Sequence, residues 1–384
     1  MYKDQKSIKK MKYNMKKNLF FILGILVMAS LVLVSCKKNN DDEDEDQSKL
    51  PTSFKVDIPS SISQPFTGKG TKDVATDTIP GDDLYRHLGT FIYVGEEAAE
   101  IVQHIITFIA VYNINHAMDL TYVSNDDGRD KHLVVVENST YDGQTWEFQL
   151  TITDSDSESA ADGGKGIQIF WNTDPVKGIA ILKPYNLDRD EHLGYPDAMY
   201  RVDYSEAGEY GYEKHMIVYI ANLPLADPLV NPYSMKTLKM FAGKSGNVVD
   251  VYGNSDHPNA KFYNADTGFN WAFAASAKYT ENIGVAEVGL PRSTSTATDR
   301  ENLLVTNSMR NVLSNQIYEV WPTISTESVN AYLFNTQAPG YFNNGGFVAA
   351  GTSPGTQYDD IDTRKDNLTP YCPVTVTNLT IEFK

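Results

Sequence analysis

The chain has 384 residues, of which 41% are hydrophobic and 22% are charged, a balance that predicts a folded protein with one large domain or two smaller ones. Its formal net charge is −17. Because an acidic surface repels phosphates and no basic stripe offsets it, composition excludes nucleic acid as a partner. The 23 Tyr, 16 Phe and 4 Trp point to strands or binding surfaces, since tyrosine combines an apolar ring with a hydroxyl group.

The first element in the chain is an export signal. Two lysines lie in Met15–Asn18, and the sixteen residues Leu19–Val34 that follow are uncharged and mostly apolar. This run is shorter than the roughly 20 residues of a membrane-spanning helix and suits the hydrophobic region of a signal peptide. It ends in Leu33-Val34-Ser35-Cys36, which resembles the lipobox of bacterial lipoproteins. In that family the cysteine is diacylated and the preceding peptide is removed, so the resemblance implies a lipid anchor on Cys36.

A run of six acids, Asp41–Asp46, follows the cysteine. Such a run repels itself and stays extended. An acidic stretch just after a lipidated cysteine resembles the surface-export signal of Bacteroidota lipoproteins. The resemblance implies attachment to the outer membrane and display at the cell surface, with the periplasmic face as the alternative. Asp77-Thr78-Ile79 also matches the short O-glycosylation motif of that group.

Three regions are therefore predicted. Residues 1–35 form the signal peptide, residues 36–80 the lipidated cysteine, acidic tether and flexible stalk, and residues 81–384 a β-rich globular domain. Removal of the signal peptide leaves 26 basic and 49 acidic residues, a net charge of −23. Within the stalk, one short edge strand is expected around Val56, Ile58 and Ile62.

The clearest helix is predicted over Glu96–Val111. Apolar residues recur there at helical spacing and form one stripe, and three acids occupy its first turn, where they favour the positive end of the helix dipole. The stripe consists of Ala98, Ile101, Val102, Ile105, Ile106 and Ile109.

A long series of strands follows this helix. Gln144–Thr153 shows strict alternation, and turn residues such as Tyr141-Asp142-Gly143 separate consecutive runs, which favours antiparallel neighbours in a meander. The other runs are His132–Glu137, Gly166–Trp171, Gly178–Lys183, Met199–Tyr204, His215–Ala221, Met235–Ala242, Val248–Tyr252, Asn270–Ala277 and Ile283–Gly289. The predicted fold class is mostly β, an antiparallel meander forming a curled sheet or barrel, with two amphipathic helices.

The second helix is predicted after Thr298-Asp299-Arg300-Glu301, which has the pattern of a capping box, and it ends before Pro322. Residues 330–370 are predicted to be loop, and Val374–Phe383 a final strand. If Cys36 carries lipid, Cys372 has no partner within the chain, which favours a buried structural thiol.

Acids at alternating positions form the one pattern suggestive of a metal site. Asp154, Asp156 and Glu158 have the spacing of calcium ligands but lack the glycine and the final Glu of an EF-hand loop. The alternative is a solvated acidic hairpin tip. Ca²⁺ is thus the only cofactor for which the sequence offers ligands, and no other cofactor is evident.

A ligand-binding region is predicted near the C-terminus, where aromatic rings mix with amides and glycines. Flat rings and amides suit stacking on sugar faces and hydrogen bonding to hydroxyl groups. The alternative is that the rings anchor an ordinary buried loop. The residues are Tyr332, Phe334, Tyr341, Phe342, Asn343, Asn344, Phe347 and Tyr358.

Catalytic signatures do not single out an activity. The chain contains no phosphate-binding loop, dinucleotide fingerprint or HExxH motif, and the GxSxG pattern at Gly351–Gly355 lies in the predicted loop 330–370 rather than at a strand-to-helix turn. A pair of catalytic carboxylates cannot be chosen from sequence, because their spatial separation defines them. We therefore favour a non-catalytic role.

The leading hypothesis is a surface lipoprotein that binds glycans or another nutrient. Three alternatives remain open: an envelope carrier of lipid or another apolar molecule, an envelope hydrolase, and a purely structural or adhesive role. In general outline, a sheet curled around a helix resembles the half-barrel lipid carriers of the bacterial envelope, an analogy of architecture alone. The expected partners are the membrane, through the lipid anchor, and a glycan or apolar small molecule.

Overall fold

Antiparallel strands dominate the computed structural model, which describes residues 54–65, 81–111, 116–229, 231, 233–260 and 268–384. The chain divides into two compact units. Among the described residues, unit 1 contains Phe54, Glu100–Pro196 and Glu382–Lys384, with 112–115 outside the description, and unit 2 contains the remainder.

Unit 1 is built on five strands that pair in chain order. Every described pair within the unit is antiparallel. Between the second and third strands, Asp142 and Gly143 have φ values of 51° and 72°, the left-handed conformation that a two-residue hairpin turn requires. The strands are β1 Met118–Val123, β2 Asp130–Tyr141, β3 Gln144–Asp154, β4 Lys165–Thr173 and β5 Val176–Leu182.

Unit 2 continues the pattern with eight strands, again antiparallel and paired in chain order. They are β6 Met199–Ser205, β7 Lys214–Ala221, β8 Thr237–Ser245, β9 Val248–His257, β10 Phe269–Lys278, β11 Ile283–Gly289, β12 Gly340–Asn343 and β13 Gly346–Ala350. No described pairing within either unit joins its last strand to its first, so each meander is an open sheet. The predicted mostly β antiparallel meander is confirmed.

Alternation gives the sheet of unit 2 an apolar face and a polar face. Val218, Met240 and Phe273 are fully buried in one cross-strand row, as expected for side chains with a period of two. Burial of such side chains stabilises the fold by about 1.5–3 kcal/mol each. Intervening positions carry Arg201, Tyr219 and Lys239 instead, and these face the other way.

Helix α1, Gly81–Val111, packs on the apolar face in unit 2 through its residues 81–99. The approach is close: a Cβ at Gly95 would lie 2.5 Å from Met240 Cε, and a Cβ at Gly340 would lie 2.6 Å from the Tyr85 ring. The prediction of a helix over Glu96–Val111 is therefore correct, but it misses the first fifteen residues of α1, which begins at Gly81. Its second part, 100–111, belongs to unit 1. No described helix is long and apolar enough to cross a membrane.

The segment before α1 is folded where it is described. Phe54, Val56 and Ile62 are almost fully buried. The Glu96 side chain accepts hydrogen bonds from Ile58 N at 3.1 Å and Ser63 Oγ at 2.6 Å. Residues 54–65, assigned to the stalk from sequence, are thus held by apolar burial and hydrogen bonds, and the predicted strand around Val56 is absent from them.

The second predicted helix begins later than its capping box indicates. Asp299, one residue after Thr298, accepts the hydrogen bond from Asn302 N at 2.8 Å. A π-helical turn, Glu301–Thr306, precedes α2, Met309–Val320, and α2 ends before Pro322 as predicted. The break at Ser308 coincides with its bridge to Gly289, so pairing with the sheet interrupts the helix.

Two predictions for the C-terminal part are wrong. The expected loop 330–370 contains β12, β13 and α4, Asp359–Lys365, while α3, Thr326–Tyr332, overlaps its start. The expected strand Val374–Phe383 is instead the short helix α5, Pro373–Thr377, followed by irregular chain. Proline fits the first turn of a helix, and Val376 O accepts a hydrogen bond from Thr237 Oγ1 at 2.8 Å, which fixes the segment across the sheet.

Candidate functional site

The predicted aromatic region near the C-terminus is largely interior. Tyr341 and Tyr358 are 2% and 3% exposed and pack edge to face, with ring centroids 5.4 Å apart. Tyr341 Oη donates to Asp362 at 2.7 Å, and Tyr358 Oη donates to Phe342 O at 3.1 Å. Burial and the neighbouring Asp362 raise the pKa of Tyr341. The protein itself therefore supplies the packing of both rings and the hydrogen-bond partners of both hydroxyl groups.

The other predicted ligand-binding residues divide by exposure. Phe342 is buried, and half-buried Phe347 stacks on Tyr85 at 5.1 Å, so both belong to packing on α1. Asn343 Oδ1 accepts from Gly345 N at 2.8 Å and closes the β12–β13 turn. Two members are exposed, Asn344 and Phe334, which is 62% exposed, and Tyr332, like Asn343 and Phe347, is half-buried. Ligand contact by the eight predicted residues stays a prediction.

The three predicted calcium ligands differ in burial, and Ca²⁺ binding by them stays a prediction. Asp154 is fully buried, whereas Asp156 and Glu158 have side chains 63% and 56% exposed. Cations of the protein already occupy the Asp154 carboxylate: Arg129 donates to both its oxygens at 2.6 and 2.8 Å, and Lys131 Nζ lies at 3.1 Å. Among the residues that the structure describes, no group of three or more His, Cys, Asp or Glu is arranged to hold a metal.

Of the two cysteines, Cys372 lies among the described residues. Cys36 lies outside the described residues, so its lipidation stays a prediction. Cys372 is a half-buried free thiol whose Sγ lies 3.8 Å from Ser295 O.

A second aromatic site lies on the polar face of unit 2. Arg201 on β6, Tyr219 on β7 and Lys239 on β8 are directly opposite one another across the strands. The Arg201 guanidinium lies 5.3 Å from the centroid of the Tyr219 ring, and Lys239 Nζ lies 5.2 Å from it. One half-buried tyrosine is thus flanked by two cations, an arrangement favoured by the ring quadrupole.

Tyr371 joins this row from the C-terminal segment. Its backbone N–H donates to Asn254 Oδ1 at 2.7 Å, which holds the segment against β9. Lys239 Nζ lies 4.1 Å from the centroid of its ring, and the ring of Tyr252 lies 5.5 Å away. Burial, followed by the proximity of Tyr252, raises the pKa of Tyr371, so its hydroxyl group stays protonated at neutral pH. We call Arg201, Tyr219, Lys239, Tyr252 and Tyr371 the tyrosine–lysine site.

Tyr210 is an exposed tyrosine that packs beside this face. Its side chain is 71% exposed, and its backbone has a φ of 56° in a tight turn between Gly208 and Gly211. A residue with a side chain in this left-handed backbone conformation is strained by about 1 kcal/mol, and such residues cluster at functional sites. The ring contacts Phe241 edge to face, with the ring centroids 5.9 Å apart. Phe241 lies on β8, two residues after Lys239.

The ammonium group of Lys239 is electrostatically unusual. Its contacts among the described residues are the two tyrosine rings, and no described carboxylate lies within ion-pairing distance. Burial lowers its pKa; Asp203 opposes this effect and Arg201 adds to it. Asp203 instead binds Arg201 through two hydrogen bonds, at 2.6 and 2.9 Å. Lys239 therefore presents spare hydrogen-bond donors at a half-buried position.

A serine–histidine pair is present on the opposite, apolar face. Ser255 Oγ lies 2.8 Å from His257 Nε2, and His257 Nδ1 lies 2.9 Å from Tyr233 O. The carbonyl accepts from Nδ1, so Nε2 accepts from the serine hydroxyl. The distances match a nucleophile and its base, but Ser255 and His257 are 0% and 1% exposed. We interpret the pair as a hydrogen-bonded core element.

Sequence reasoning located the strands of the tyrosine–lysine site but not the site. The alternation in His215–Ala221 and Met235–Ala242 puts Tyr219 and Lys239 on the polar face of their strands. Their adjacency depends on the strand register, which a single sequence does not specify. Tyr371 comes from a segment more than a hundred residues later.

Comparison of the chain with protein-family models, with curated proteins and with solved structures finds no match.

Proposed function

We propose that this protein is an exported lipoprotein that binds a glycan at the tyrosine–lysine site. The observation that carries the proposal is the assembly of Tyr219 and Lys239, from two consecutive strands, with Tyr371, from a segment more than a hundred residues later, at one half-buried position on the polar face of unit 2. Sugars combine flat apolar faces with hydroxyl groups. Aromatic rings contact the former, and charged or hydroxyl donors bind the latter.

The proposed location agrees with such a role. The lipobox at Leu33–Cys36 and the acidic tether Asp41–Asp46 support lipidation at Cys36, an outer-membrane anchor and display at the cell surface. An acidic tether beyond the anchor keeps the folded units away from an anionic membrane surface. A glycan-binding protein in that position meets its ligand in the medium.

The test is binding of the mature chain, Lys37–Lys384, to a glycan array, followed by calorimetry on each glycan that binds. Tyr219→Ala is expected to lower the affinity at least about tenfold, which corresponds to roughly 1.4 kcal/mol, because the variant loses a central contact ring. Tyr371→Ala is expected to have an effect of the same size.

Tyr279 offers a matched control. It is 46% exposed, and Lys244 Nζ lies 5.1 Å from its ring centroid, so it forms a tyrosine–lysine pair outside the proposed site. Tyr279→Ala should leave the affinity unchanged. If no glycan binds, or if Tyr219→Ala and Tyr279→Ala behave alike, the proposal fails.

A further inference from the structure

We propose that the tyrosine–lysine site selects saccharides that carry a negative charge, such as a uronate carboxylate or a sulfate ester, and that Lys239 binds this charge. The inference rests on the proposed function and goes one step further, to the class of glycan.

The first argument compares Lys239 with three lysines of the fold that are largely withdrawn from solvent. Lys131 pairs with Asp127 at 2.9 Å, Lys183 with Asp162 at 2.6 Å and Lys365 with Glu287 at 2.7 Å. Their side chains are 2–16% exposed. Burying an ammonium group is costly unless a carboxylate compensates it. In a chain with 50 acids, half-buried Lys239 nevertheless has no described carboxylate partner, and a charged ligand would supply the missing one.

The second argument is the charge balance around Lys239. Arg201, directly across Tyr219, is held by both oxygens of Asp203, so this pair is neutral. Lys239 then remains as a positive charge between two rings, with no described carboxylate within ion-pairing distance. A pyranose ring in contact with Tyr219 or Tyr371 therefore has a cation beside it, where a carboxylate or sulfate gains a charge-assisted hydrogen bond.

The third argument concerns specificity. The net charge of −17 repels polyanions over distances up to about 8–10 Å at ordinary ionic strength. Non-specific attraction of an acidic saccharide is therefore disfavoured across most of the surface. A preference for acidic ligands, if measured, must come from a local group, and Lys239 is such a group.

The experiment uses glycans in matched charged and neutral forms: oligogalacturonides with their methyl esters, and sulfated oligosaccharides with their desulfated forms. Calorimetry with the mature chain is expected to give at least about tenfold tighter binding of a charged form. Lys239→Met keeps most of the stem and removes the charge, so it should reduce that affinity to the value for the neutral form. Lys239→Arg should retain the preference.

Lys244→Met is the matched control, since Lys244 lies beside Tyr279 outside the site, and it should leave the preference unchanged. If neutral forms bind as tightly as charged forms and Tyr219→Ala weakens both, the inference is overturned while the proposed function stands. If a charge preference persists in Lys239→Met, the assignment of Lys239 is overturned. If Tyr219→Ala affects no glycan, both proposals fail.

Discussion

Replacing Asp154 with Asn is expected to lower the free energy of unfolding of unit 1 by about 3–5 kcal/mol, the typical cost of removing one partner from a buried ion pair. Asp154 is fully buried and forms ion pairs with three cations, Arg129, Lys131 and Arg189, at distances of 2.6, 3.1 and 3.3 Å. Asn has nearly the same shape, so the loss reports the charge. Lys131, only 2% exposed, would then retain Asp127 and the carbonyl of Asn186 as partners.

The measurement is a urea titration read by ¹⁹F NMR of 5-fluorotryptophan, because each unit contains its own tryptophans. Unit 1 contains Trp146 and Trp171, and unit 2 contains Trp271 and Trp321. Asp156→Asn is the matched control: its carboxylate lies 3.5 Å from Arg129 but is 63% exposed, so its loss should cost less than about 1 kcal/mol. Equal effects of the two substitutions would contradict the buried network.

The ion pairs of Asp154 also make the stability of unit 1 depend on pH. Burial by itself raises the pKa of Asp154, but the hydrogen bonds donated by Arg129 and Lys131 outweigh it and hold the pKa well below its ordinary range. The stabilisation is therefore complete above the unfolded-state pKa of about 3.9 and is lost as the pH falls below it. The Asn variant lacks this dependence.

The sequence predicts much of the sheet because burial and alternation agree there. Gln144–Thr153 was predicted as a strand and β3 is Gln144–Asp154, with Trp146, Leu150 and Ile152 buried in turn. β1 has no comparable signal. Most of Met118–Val123 is exposed or half-buried, so apolar alternation is weak, and pairing with β2 determines its structure.

Where prediction fails, contacts distant in sequence outweigh local preference. The valines and threonines of Val374–Phe383 favour a strand, yet Pro373 begins a short helix that Thr237 binds from β8. In α1, Gly89 and Gly95 weaken the helical signal, although close packing on the sheet requires a small residue at Gly95. Helix propensity is a weak guide when packing decides.

The candidate site follows the same rule. Composition indicated that tyrosine is important, and the predicted cluster at Tyr341 and Tyr358 has the residue types of a sugar platform, yet its rings are buried. Tyr219, Lys239 and Tyr371 carry no local motif. Their proximity results from strand register and from the hydrogen bond between Tyr371 N and Asn254, neither of which has a periodic sequence signature.

Acidification from pH 7 to pH 4 is expected to cost unit 2 about 3 kcal/mol through His257 alone. Burial lowers the pKa of His257 from 6.5 to about 4, against the opposing effect of its hydrogen bond to Tyr233 O, and nearby His87 lowers it further. In the unfolded chain the imidazole takes up a proton near pH 6.5, whereas in the folded chain it does so only near pH 4. The stabilisation is therefore complete above about pH 6.5 and is lost as the pH falls towards 4.

The dependence is measured as the difference between the pH slopes of unfolding for the natural chain and for His257→Gln. Taking the difference removes the contributions of the titrating groups that are common to both chains. If the natural chain and His257→Gln gave parallel curves, the imidazole would have to take up its proton in the folded state near pH 6.5. That result would be incompatible with its burial against Phe91 and Trp271 and with its acceptance of the Ser255 hydrogen bond.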